Sequence, residues 1–134
     1  MNEVVAFLKQ NPVVYFATVG LDGRPKVRPF QFMLEQNGKL FFCTSNRKEV
    51  YREMKQLPYV ECCVTNASFA WMRLKGKAVF AEDRTVKEKI MEENPLIKNI
   101  YQSPDNPVFE IFFLGDAQAS IADFSGDPAK NYKL

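Results

Sequence analysis

The sequence predicts a mainly β protein, an antiparallel barrel with helices inserted between its strands. Three observations lead there. Six or seven segments rich in β-branched and aromatic residues recur along the 134 residues. Two dipeptides, Asp22-Gly23 and Asn37-Gly38, carry the turn chemistry of tight hairpins. The helical segments fall singly between strands, without the βαβαβ rhythm of a parallel sheet.

Taken in order, Asn2 caps a short helix through Gln10, with Val4, Phe7 and Leu8 on one face, and Asn11-Pro12 stops it. "VVYFATV", residues 13 to 19, is the first strand. After Asp22-Gly23 a second strand runs from Lys26 to Leu34, and the period of two puts Arg28, Phe30, Phe32 and Leu34 on one face. Asn37-Gly38 returns the chain as a third strand, Leu40 to Thr44. A helix follows from Arg47 to Gln56, with Val50, Met54 and Leu57 at i, i+4 and i+7 and Pro58 beyond them. Tyr59 to Thr65 and Trp71 to Ala81 are the next strands, the second with Gly76 as a bulge or close-approach point. Arg84 to Glu93 reads as a charged, surface-facing helix, followed by a short helical turn and a loop. Val108 to Leu114 and Ala117 to Phe124 read as two strands broken at Gly115-Asp116, and the polar tail after Gly126 as loose.

At this length the chain reads as one domain, residues 1 to 134, able to bury a core without staples. A net charge of +2 is too small to argue for nucleic acid. No run approaches the ~20 apolar residues of a membrane span. The N-terminus lacks the basic start and cleavage site of a signal peptide, so a cytoplasmic location is expected. Cys43, Cys62 and Cys63 have no zinc-ligand spacing and read as free thiols. The chain has no His, which removes Ser-His-Asp and Cys-His catalysis and the usual zinc and haem ligation. Chemistry here would have to be carried by other groups or by a bound cofactor.

The segment "KLFFCTSNRKEV", residues 39 to 50, changes from buried strand to helix start. Asn46 reads as the N-cap, with Glu49 three residues on as in a capping box. Arg47 and Lys48 would then be the first two helical residues, where the macrodipole disfavours a cation by ~0.3–1 kcal/mol. A bound anion reverses that sign, accepting hydrogen bonds from free N–H groups, from the Thr44 and Ser45 hydroxyls and from both cations. The same residues also read as an ordinary helix start with two solvated charges. In "RPKVRPF" Arg28 and Phe30 share a strand face that the Asn37-Gly38 hairpin brings near this turn; equally, Phe30 is core and Arg28 snorkels at its edge. In "WMRLKGKAVF" Trp71 shares a face with Arg73, Lys75 and Lys77, either covering a ligand or packing an interface, or simply decorating a surface strand.

The order "FATVGLDGRPKVRPF", "GKLFFCTSNRKEVYREM", "WMRLKGKAVF" resembles the pyridoxamine 5′-phosphate oxidase-like FMN-binding split-barrel superfamily, and within it the small proteins related to the 5-nitroimidazole resistance (Nim) group. The likeness runs from about Asn2 to Gly126. It implies a six-stranded antiparallel split β-barrel that forms a homodimer with FMN at the subunit interface. It implies a phosphate held by the strand-to-helix loop (Cys43, Thr44, Ser45) and by Arg47 and Lys48. It implies ring and ribityl contacts from Arg28, Pro29, Phe30 and Gln31, with Trp71 entering from the partner chain. Aromatics at 71, 101, 109, 112, 113 and 124 look more than one core requires and point the same way. The implied function is an FMN-binding flavoprotein, an FMN-dependent oxidoreductase that reduces a small acceptor with NAD(P)H or a protein electron donor; the alternative is a non-catalytic FMN carrier or sensor. Oxidases of the family use Arg and His in a further C-terminal segment for substrate, so vitamin B6 oxidation is not expected of a chain without His. Some Nim proteins carry a His near the phosphate loop, where Cys43 and Thr44 stand here.

Overall fold

A computed structural model describes all 134 residues. Eight strands and four helices alternate as α1 (Asn2–Gln10), β1 (Val13–Val19), β2 (Pro25–Gln31), β3 (Leu34–Gln36), β4 (Lys39–Ser45), α2 (Glu49–Gln56), β5 (Tyr59–Thr65), β6 (Trp71–Ala81), α3 (Arg84–Glu93), α4 (Pro95–Tyr101), β7 (Phe109–Ala122) and β8 (Lys130–Lys133). All strands join one antiparallel sheet in the order β2-β1-β5-β6-β7-β4-β3, with β8 added to β7. No helix is long and apolar enough to cross a membrane.

The longest strand, β7, carries two partners' worth of length along one edge. The first part of β7 pairs with β4 (Ser45 opposite Phe109), and its last part pairs with β8 (Ala119 opposite Tyr132). β2 and β4, near the two ends of the sheet, come together without pairing. This leaves an open seam in the barrel wall, bridged at the Phe32-Met33 step, where Met33 N–H donates to the Phe41 carbonyl. Inside lies one apolar core containing Phe16, Phe42, Leu74 and Phe112, into which α1 sends Val4 and Leu8 and α2 sends Val50 and Met54. Four rings lock it: Phe16 stacks on Phe30 at 4.7 Å, Phe42 stacks on Phe112 at 5.8 Å, and Phe16 meets Phe112 edge-on. Burying each such ring contributes roughly 1.5–3 kcal/mol. A second core lies behind β3, β4 and β7, where α3 and α4 cover Phe41, Phe109 and Ile111 with Ile90 and Tyr101.

Several expectations need correction. The face expected to run from Arg28 to Leu34 holds only through Phe32. The strand ends at Gln31, and past Phe32 the chain crosses to the second core, where Met33 and Leu34 pack. The segment after Val108 is one strand, not two, because β6 runs alongside its whole length and the extra residue at Gly115-Asp116 is absorbed as a bulge. The tail is not loose: β8 pairs with β7, and Tyr132 and Leu134 pack on the main core beside α1. Tyr101, Phe109 and Phe112 are used up by the two cores of one chain, so they supply no surplus for an interface.

Gly76 stands opposite the bulge. A Cβ there would lie 2.9 Å from the Gly115 carbonyl oxygen and 3.2 Å from Leu114 Cβ. Gly76→Ala is therefore expected to destabilise the protein by about 1–3 kcal/mol, read as a lower urea midpoint at unchanged slope.

Candidate functional site

The turn between β4 and α2 is built differently from its sequence reading. Asn46 is not the N-cap, because its side-chain amide is drawn across to β7, donating to the Pro107 carbonyl (2.8 Å) and Glu110 (2.9 Å). The helix begins at Glu49. Lys48 occupies the cap position in extended backbone, with no side-chain cap. Arg47 and Lys48 thus precede the first helical turn instead of opening it. Ser45 holds the turn, accepting from Arg47 N–H at its hydroxyl and from Lys48 N–H at its carbonyl.

Three features then converge. The N–H groups of Glu49 and Val50 meet no protein acceptor, as expected at an uncapped helix start. Arg47, Lys48 and Arg52 are exposed, and none has a carboxylate within 4 Å. The Thr44 hydroxyl is fully buried with no hydrogen-bond partner, the only such side-chain group in the molecule. An orphaned buried hydroxyl costs about 1–3 kcal/mol. Free donors, unpaired cations and an orphaned hydroxyl within one turn are what a phosphate group would satisfy. The residues present therefore fit the phosphate end of FMN.

Cys43 is set apart. Alternation turns Thr44 inward with Leu40 and Phe42, and turns Cys43 to the second core with Phe41. Burial pushes its thiol up to about 12 despite the counteracting charge of Lys48. It is not a thiolate nucleophile at neutral pH.

The seam's other lip is β2. Phe30 packs inward on Phe16, while Pro29 and Gln31 point outward. Arg28 is engaged by its own chain. Its guanidinium turns into the barrel and donates to Glu53 (2.7 Å), Thr18 Oγ1 (2.8 Å) and the Phe16 carbonyl (3.1 Å). Glu53, on α2, is 1% exposed and also accepts from Thr18 Oγ1 at 2.6 Å. Sequence reading missed Glu53 and Thr18. The one signal was a charged residue beside Met54 on the apolar stripe of α2.

Trp71 lies far from the turn within one chain. It pairs with Ala122 at one end of β7, whereas Ser45 pairs with Phe109 at the other. It packs on Phe124 at 5.1 Å. Yet it shares a face with the outward residues of β2. Val13 faces Gln31 and Tyr15 faces Pro29; Tyr15 in turn faces Cys63, and Cys63 faces Arg73. On this outer face Tyr15 is 62% and Val27 67% exposed, flanked by exposed Val13 and Tyr59.

The chain's residues 1–114 match the family model described as pyridoxamine 5′-phosphate oxidase. A NimC/NimA family protein from Clostridium acetobutylicum is 34% identical over 100% of this chain and 92% of its own, with a TM-score of 0.91. A heme binding protein from Mycobacterium smegmatis is 17% identical, covers 96% of this chain and 55% of its own, and superposes with a TM-score of 0.76. A pyridoxamine 5′-phosphate oxidase-related, FMN binding protein from Nostoc punctiforme is 19% identical over 97% of this chain and 87% of its own, at a TM-score of 0.68. Among curated proteins none has a sequence that matches significantly.

Proposed function

This chain belongs to the pyridoxamine 5′-phosphate oxidase family, and from that footing we propose that it is an FMN-binding flavoprotein acting as an FMN-dependent oxidoreductase on a small acceptor. The observation that carries the reading is the β4–α2 turn, where unpaired Arg47 and Lys48 lead into uncapped N–H groups and follow Thr44, whose buried hydroxyl has no partner. Ser45, Arg47 and Lys48 would bind the phosphate. Pro29, Phe30 and Gln31, on the β2 lip, would orient the ring. Trp71 would act from a second protomer, since one chain holds it at the far end of β7. The exposed Val13, Tyr15 and Val27 supply an apolar face for that protomer. When bound, FMN supplies the electron transfer between a reduced donor and the acceptor.

A heme-binding relative shares the fold, but this chain has no His and so lacks the commonest axial ligand. The donor set of the turn favours a phosphate. The expected preparation is yellow, holds one FMN per chain, and scatters light as twice 15.4 kDa, with an interface of at least ~2,000 Å². Bleaching by NAD(P)H without oxygen, then reoxidation by an added acceptor at a catalytic rate, supports the oxidoreductase. Flavin that binds but exchanges no electrons with any donor supports a carrier or sensor. Colourless protein that does not take up FMN overturns the reading.

A further inference from the structure

Glu53 is the only buried carboxylate in the molecule. Its Oε1 accepts from both Arg28 (2.7 Å) and Thr18 Oγ1 (2.6 Å), and Thr18 Oγ1 accepts from Arg28 in turn at 2.8 Å. The three residues come from three elements, α2, β2 and β1. Arg28 immediately precedes Pro29, Phe30 and Gln31 on the β2 lip, and Glu53 stands one helical turn beyond Glu49, where α2 begins. The triad therefore ties the lip on one side of the seam to the helix that follows the phosphate turn on the other. No other hydrogen bond joins β2 to α2.

β2 is otherwise weakly held. It ends the sheet and pairs along one edge only, with β1, while its other edge is the open seam. None of its seven residues is buried, and Phe30 alone packs on the core. A strand with one ladder and little apolar contact opens more readily than the rest of a sheet. The ion pair is a poor source of net stability, because apolar residues of the same size often serve as well. What it supplies is geometry: a planar guanidinium fixed by three hydrogen bonds sets where β2 lies against α2. A ligand gripped at both ends binds tightly only when the two grips are held at its own span.

We propose, resting on the flavin reading above, that Glu53 is a positioning residue: through Arg28 it holds the β2 lip at a fixed distance from the phosphate turn, so that both ends of FMN are gripped at once. The test titrates the full chain with three ligands. FMN spans turn and lip, riboflavin lacks the phosphate, and inorganic phosphate reaches the turn alone. Two variants are compared with wild type: Glu53→Leu, which leaves Arg28 in place but frees it, and Arg28→Met/Glu53→Leu, which removes both charges. Both should bind FMN about tenfold more weakly, with riboflavin and phosphate affinities within about twofold of wild type. In the flavin-free double variant the amides of β2 should exchange about tenfold faster relative to those of β5. Equal losses for all three ligands would mean a general loss of fold and overturn the proposal. So would FMN affinity that falls in the double variant but not in Glu53→Leu, because Arg28 would then act on the flavin without Glu53. Unchanged β2 exchange also overturns it. Wild type that binds no FMN removes the flavin reading itself, whereas wild type and variants that bind FMN equally well remove only the role of Glu53.

Discussion

Lys48→Ala is expected to lower FMN affinity by roughly 10- to 150-fold and to leave riboflavin affinity unchanged. The range follows from the ~1.5–3 kcal/mol of a charge-assisted hydrogen bond. Lys48 is exposed, carries no ion pair and sits at the uncapped start of α2, so the loss should not come from a damaged fold. Without ligand the variant should be neutral or slightly more stable, because a cation leaves the positive end of a helix. Titrating wild type and variant with FMN and with riboflavin separates the possibilities. Equal FMN affinities for the two proteins would remove Lys48 from the phosphate site. Equal losses for both flavins would mean that Lys48 acts on something other than the phosphate.

The second large effect is on folding. Glu53→Ala should destabilise the protein by about 2–4 kcal/mol, somewhat below the ~3–5 kcal/mol of a fully buried pair. Glu53 is 1% exposed, but the Arg28 side chain retains 23% exposure and so some access to water. The loss leaves a guanidinium and the Thr18 hydroxyl in the barrel without their shared acceptor. Removing both charges should be milder: Arg28→Met/Glu53→Leu should cost less than the sum of the single changes, because no uncompensated charge remains. Denaturant titration of the two single variants and the double variant gives the coupling directly. A Glu53→Ala cost under about 0.5 kcal/mol, the scale of an ordinary surface change, or strict additivity in the cycle would show that the network does not hold α2 to the barrel.

Much of the molecule is legible in the sequence because much of it is local. The alternation in "VVYFATV" does place Val14 and Phe16 inside and Val13 and Tyr15 outside. Asn37-Gly38 does close a hairpin, with positive φ at both residues. Gly76 does mark a bulge, and Trp71 shares the outer face of β6 with Arg73, Lys75 and Lys77. The approach of Thr44, Ser45, Arg47 and Lys48 within one turn was legible too, since five residues cannot be far apart.

Partners distant in the chain were not legible, and these set the details of the site. Asn46 looked like a cap until Glu110, on β7, claimed its amide. Arg28 looked free until Glu53, on a different element, neutralised it. Gly115-Asp116 looked like a strand break until β6 ran past it and fixed it as a bulge. The polar tail joined the sheet as β8 because the end of β7 offered an edge to pair with. Local sequence determined which way each side chain faces, through the twofold period of the strand and the turn chemistry of Asn-Gly and Asp-Gly. Which group each face meets was decided by the closure of the sheet, because hydrogen bonds and ion pairs depend on distance in space, and only the folded barrel brings residues 28 and 53, or 46 and 110, into contact.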